Sequence, residues 1–80
     1  MTKEDFLKNF ANQFEDTDVS ELMFETNFRE LDEWSSLLAL AVMNMIGKKY
    51  NVKLKPEEMR TANTIQELYD LVNAHEINNL

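Results

Sequence analysis

The sequence predicts an all-α domain: a small helical bundle of three main helices and one short helix, with a long ordered first loop. Three observations carry this. One glycine and one proline in 80 residues leave too few turn formers for a β protein. Apolar residues recur at helical spacing rather than in alternation. Short polar residues stand directly before several apolar runs, where helix caps belong.

The first helix is expected over residues 2–15. Thr2 can cap it, and Glu4 and Asp5 fall in the first turn, where the helix dipole favours anions. Phe6, Leu7, Phe10, Ala11 and Phe14 share one face. Asp16, Thr17 and Asp18 then compete for backbone hydrogen bonds and stop the helix. Between Asp16 and Glu33, Leu22, Met23, Phe24, Phe28 and Leu31 recur without a clean period. That stretch is too apolar for a solvated linker, and structureless loops of such length are uncommon in compact domains. An ordered connection is expected, with one helical turn near residues 20–24.

The second helix is expected over residues 36–49. Ser35 and Ser36 precede its apolar run, and only one of them can hold the N-cap. With Ser35 as the cap, Ser36 becomes the first helical residue and its hydroxyl is left free. Ala39, Val42, Met43, Ile46 and Tyr50 make one face, and Leu37, Leu38, Ala41 and Met45 make another. A helix apolar nearly all round is either wholly buried or shares one side with a partner. In so small a bundle the second stripe should be partly exposed near the helix start, unless the first loop covers it. Leu37, Leu38, Ala41 and Met45 are therefore the candidate partner surface. Lys48 and Lys49 close the helix where the dipole favours cations, and Gly47 weakens it there.

A connector anchored by Val52 and Leu54 leads to a short helix at residues 56–61, with Pro56 in the first turn. The last helix is expected over residues 64–74. Either Asn63 or Thr64 can cap it; with Thr64 as the cap, Glu67 completes a capping box, and the end should fray from Ala74 to Leu80. His75 is expected as a solvated helix residue rather than a catalytic base.

Composition bounds the function. Residues 1–80 make a single domain. Without cysteine there is neither disulfide nor thiolate, and a lone histidine cannot build a metal cluster, so no metal site is expected. A formal charge of −7 repels phosphate backbones, which argues against nucleic acid. No window reaches the roughly 18 apolar residues of a membrane span, and the charged start lacks a signal-peptide core. The expectation is a cytoplasmic protein, likewise monomeric, without membrane insertion. Glycine-rich phosphate loops, HExxH and Gly-x-Ser-x-Gly are all absent, and no base stands near Ser36 in sequence. A non-catalytic protein follows. What Ser36 can do is accept a group: a phosphodiester on its oxygen would face free N–H groups at the positive end of the helix.

The pattern resembles the acyl carrier proteins, whose attachment motif is Asp-Ser-Leu at the start of the second helix. Here it reads Ser35-Ser36-Leu37. The resemblance continues without a gap through Tyr50, Asn51-Val52-Lys53-Leu54, Pro56-Glu57-Glu58 and Thr64-Ile65-Gln66-Glu67-Leu68. It is good from Trp34 to Val72 and looser before Phe28. The resemblance implies that a phosphopantetheinyl transferase attaches 4'-phosphopantetheine covalently to Ser36. Acyl-transferring, ligase or synthase enzymes would then act on thioesters held there, for fatty-acid, polyketide-like or related biosynthesis. It also implies an acyl cavity, lined by Val42, Met43, Ile46, Tyr50, Leu54, Ile65 and Leu68, residues that equally make an ordinary core. Two departures stand out. Position 35 is Ser rather than Asp, although both cap well. Leu38, Ala41, Met45, Lys48 and Lys49 stand where family members carry several acids, which suggests a specialised carrier with more apolar partner contacts. The alternatives are a peptidyl or D-alanyl carrier, or an unmodified helical interaction module.

Overall fold

The computed structural model describes residues 1–78. Four α-helices follow in order: α1 (Lys3–Ala11), α2 (Ser36–Tyr50), α3 (Pro56–Thr61) and α4 (Ile65–Asn78). Among the described residues there are no strands, only an isolated bridge between Asn27 and Thr64. The expected all-α bundle, with three main helices and a short one, is therefore the observed architecture.

Thr2 starts α1 by accepting a hydrogen bond from the Asp5 N–H at 3.1 Å. The helix ends at Ala11, four residues before the expected end. Gln13 and Phe14 bond back three residues rather than four, to the carbonyls of Phe10 and Ala11. The N–H groups of Glu15 and Asp16 instead donate to the Glu33 carboxylate, at 2.7 and 3.1 Å. A charged acceptor outcompetes a backbone carbonyl, and the chain turns away. Phe14 still reaches the core.

The first loop is ordered, with two single turns of 3-10 helix at Val19–Glu21 and Phe28–Glu30. The first of these lies one residue earlier than expected, because Asp18 caps it. Leu22 and Phe28 are buried, while Phe24 and Leu31 pack half-buried against the core. The loop is tied to the far side of the bundle by backbone. Phe28 N–H donates to Asn63 C=O, Ile65 N–H to Thr26 C=O, and Gln66 N–H to Phe24 C=O, at 2.9–3.2 Å. Arg29 adds a clasp: its guanidinium donates to the carbonyls of Met59 (2.6 Å) and Ala62 (2.9 Å) at the end of α3. A cation there also meets the negative end of the helix dipole.

The core is strongly aromatic. Phe10 packs against Phe14, Phe28 and Trp34, and the Phe28 and Trp34 rings lie 4.7 Å apart. Trp34 therefore fixes the chain directly before α2. At the other end of that helix, Tyr50 runs one residue past the expected end, and its hydroxyl accepts from Asn9 Nδ2 at 2.8 Å. Asn51 then takes the left-handed conformation (φ 55°) that ends the helix. Val52 and Leu54 are buried as the sequence suggests.

The capping box at α4 is present: Thr64 Oγ1 accepts from Glu67 N–H at 3.1 Å, and Glu67 Oε1 accepts from Thr64 N–H at 3.0 Å. The helix runs on to Asn78 instead of fraying from Ala74; residues 79 and 80 lie outside the described ones. His75 helps to hold this extension. It is not merely solvated, since its Nε2 meets Glu58 Oε2 at 2.5 Å and ties α4 to α3.

Gly47 is exposed, and a Cβ there would meet the Val52 carbonyl oxygen at an ordinary 3.8 Å. Nothing about its backbone requires glycine. Gly47→Ala should stabilise the fold by about 0.5–1 kcal/mol through the chain entropy of the unfolded state and helix propensity, read by urea denaturation.

Three carboxylates should make the fold acid-sensitive. Hydrogen bonds from the Asn63 and Thr64 N–H groups hold Glu67 below the ordinary value of 4.5. The Lys55 N–H and then His75 do the same for Glu58. Partial desolvation raises the Glu33 carboxyl, but the Thr17 hydroxyl and the Glu15 and Asp16 N–H groups together lower it further. Each group binds its proton more weakly when folded, so its contribution is present above 4.5 and is lost as pH falls through the lowered folded value. Urea midpoints should drop below that pH, and Glu33→Gln and Glu67→Gln should each flatten the drop.

Candidate functional site

The site is the start of α2. Ser35 has extended backbone and its Oγ accepts from the Leu38 N–H at 3.2 Å, while its carbonyl accepts the first helical bond from Ala39 N–H. Ser35 is thus the N-cap that the doublet left to be decided. Ser36 becomes the first residue of the helix. It is exposed, and among the described residues no hydrogen bond engages its hydroxyl. The Ser36 and Leu37 N–H groups likewise find no acceptor among the described residues, so two orphan donors and the positive dipole end surround the free hydroxyl.

A cleft of about 460 Å³ opens beside Ser36 between α2 and α3. Its wall is mainly apolar, from Trp34, Ala39, Leu40, Met43 and Met59, with Arg29 and Arg60 at its margin. Arg29 is spent on backbone carbonyls, whereas Arg60 is exposed. Sequence reading did not find either arginine, because Arg29 is placed by carbonyls 30 and 33 residues away and Arg60 lies on a separate helix. The site fits a phosphodiester: an exposed acceptor hydroxyl, unpaired N–H donors, and cationic side chains in an otherwise acidic protein. The Glu33 carboxylate, three residues before Ser36, is turned toward the end of α1. Asp32 is exposed.

Of the candidate partner residues, Leu37 is 80% exposed, and Leu38 and Ala41 are half-buried. Met45 is only 4% exposed and belongs to the core, so its place on an outward stripe is corrected. The reason is the bundle itself: α1 packs against α2, and Met45 joins the core they share. Leu40, which the periodicity did not single out, is 59% exposed and stands one turn after Leu37. Of the residues named as a possible acyl lining, Val42, Ile46, Leu54, Ile65 and Leu68 are buried in one packed core, and Met43 and Tyr50 are half-buried at its edge. Among the described residues no cluster of potential metal ligands occurs, and no helix is long and apolar enough to cross a membrane.

The two serines should separate in a stability measurement. Ser35→Ala should cost about 1 kcal/mol in urea denaturation by stranding the Leu38 N–H, and Ser35→Asp should restore most of it. Ser36→Ala should leave the midpoint close to the parent.

Comparison with known proteins bears on what this hydroxyl is for. No curated protein and no solved structure gives a match to the chain. A family model does: the one described as "Phosphopantetheine attachment site" matches residues 5–72, nearly the whole described fold. Members of that family carry 4'-phosphopantetheine covalently. Together with the all-α bundle, this match shows that the chain belongs to the phosphopantetheine-attachment family and is a carrier domain of the acyl carrier protein type.

Proposed function

We propose that the chain is a non-catalytic acyl carrier whose 4'-phosphopantetheine is attached at Ser36. The observation that carries this reading is the exposed, unengaged Ser36 hydroxyl in the first turn of α2, next to a serine already committed as the cap. When attached, the group supplies a thiol that holds acyl chains as thioesters. The protein's own contribution is presentation. Ser35 fixes the first turn, and Trp34, packed on Phe28, holds that turn in place. The Ser36 and Leu37 N–H groups and the helix dipole face the oxygen that a phosphodiester would occupy, and Arg60 stands within the adjoining cleft. That cleft also gives an extended arm an apolar surface to lie against.

Partners in this reading are a phosphopantetheinyl transferase and enzymes that load, extend or release the acyl group. They would approach over Leu37, Leu40, Leu38 and Ala41, which make an apolar surface beside Ser36. α2 carries no acid between Ser36 and Tyr50, so these partners should rely on apolar contact more than the family's usual acidic helix allows. A specialised carrier acting as a monomer in the cytoplasm, in fatty-acid or polyketide-like synthesis, is the corresponding biological reading.

Co-expression with a phosphopantetheinyl transferase of broad specificity, followed by intact-mass measurement, tests the assignment. The parent and Ser35→Ala should gain the mass of one phosphopantetheine, and Ser36→Ala should gain nothing. A gain that survives Ser36→Ala would move the attachment elsewhere, and an unchanged parent would favour an unmodified interaction module.

A further inference from the structure

The charges of this chain are segregated. Ten of its fifteen acids precede Trp34, and none occurs from Trp34 to Pro56. Over that same stretch Lys48, Lys49, Lys53 and Lys55 are all exposed. On α2 four of the exposed positions, Leu37, Leu40, Asn44 and Lys48, fall in a stripe at the spacing that places residues on one helix face. The stripe is apolar near Ser36 and cationic about 18 Å farther on, at 1.5 Å per residue. At the cationic end a second cleft, of about 400 Å³, opens between α2 and the connector. Half-buried Met43 and the exposed Gly47, Lys48 and Lys53 line it, together with the buried Val52 and Leu54.

We propose that this lysine-lined cleft docks an acidic segment of a partner protein, one that sets an apolar side chain against Met43 and the aliphatic stems of Lys48 and Lys53 and carboxylates against their ammonium groups. The surface thus has the opposite sign to the chain as a whole, and selects partners by local rather than overall charge. A polyanion is the poorer occupant. Nucleic acid or an anionic bilayer would meet the field of a protein carrying a formal charge of −7. A second copy is also the poorer occupant, because two chains that each carry a formal charge of −7 repel one another, and three carboxylates of the first loop are already engaged. Glu33 accepts from residues 15–17, Asp18 from Ser20, and Glu21 from Asp18. The proposal rests on the carrier reading only in supposing that the partner works on a group held at Ser36.

The test uses the unmodified full chain, so that it is independent of loading at Ser36. The probes are a synthetic helical peptide with leucines on one face flanked by glutamates, and the same peptide with lysine at every glutamate. Amide chemical shifts are followed during titration. The glutamate peptide should give saturable shifts centred on residues 43–54, with affinity lowered on the order of tenfold by Lys48→Glu with Lys53→Glu. Lys48→Gln with Lys53→Gln should give a smaller loss in the same direction. Equal or tighter binding of the lysine peptide, shifts centred on the first loop, or no saturable shift with either peptide would overturn the proposal. So would a dimer in sedimentation that the charge reversal dissolves, or co-sedimentation with phosphatidylserine vesicles, since each gives the surface to another occupant. Mass gain at Ser36 is read separately, so failure here and failure of the carrier reading remain distinct.

Discussion

The packing of Trp34 on Phe28 is the contact on which the site depends. A helix of fifteen residues that is apolar on most sides has no preferred rotation of its own, because almost any face could be buried. The aromatic pair removes that freedom at the decisive end. Phe28 is fully buried, held by backbone hydrogen bonding to Asn63 and stacked among Phe10 and Trp34. Trp34 is thereby fixed, the next residue must be extended, and Ser35 can bring its hydroxyl round to the Leu38 N–H. Once the cap is set, the geometry of the helix turns Ser36 and Leu37 outward and Val42 and Ile46 inward.

This makes the long first loop a structural member. It has little regular structure, yet several of its backbone groups and the side chains of Asp18, Glu21, Arg29 and Glu33 find defined partners. Glu33 gathers donors from the end of α1, Arg29 takes carbonyls at the end of α3, and three backbone bonds join residues 24–28 to the start of α4. Such side chain to backbone bonds let the loop be ordered at modest length of helix, since a charged group bonded to backbone is stronger than a neutral pair. The loop therefore closes the bundle over the aromatic cluster and supports the site from beneath.

What was legible in the sequence follows from the range of the forces involved. Caps act over three residues, and Thr2, Ser35 and Thr64 all cap as their neighbours suggest. The all-α class and the short third helix rest on composition and on Pro56, and both are observed. The early end of α1 was not legible, because Glu33 lies seventeen or eighteen positions from the amides it accepts. The exposure of Leu40 and burial of Met45 were hidden for a related reason. Both are apolar residues on a helix apolar all round, and only the packing of the other elements against it decides which faces water. The partnership of His75 with Glu58 spans seventeen residues and two helices, and a single histidine offers no pattern to read.

The uneven distribution of charge joins these features. A small carrier must be bound and released by several enzymes, and a surface that is apolar throughout would associate with too many partners. Placing Leu37 and Leu40 beside Ser36 gives contact area where the modified oxygen would be presented. Keeping acids off α2 leaves its far end cationic, while Asp18, Glu21 and Glu33 of the first loop are engaged in folding that loop. The same carboxylates that order the loop thus do not compete for the lysines of α2, which remain available to an outside partner. Fold and recognition draw on separate sets of charges, and that separation lets a net acidic protein present a basic face.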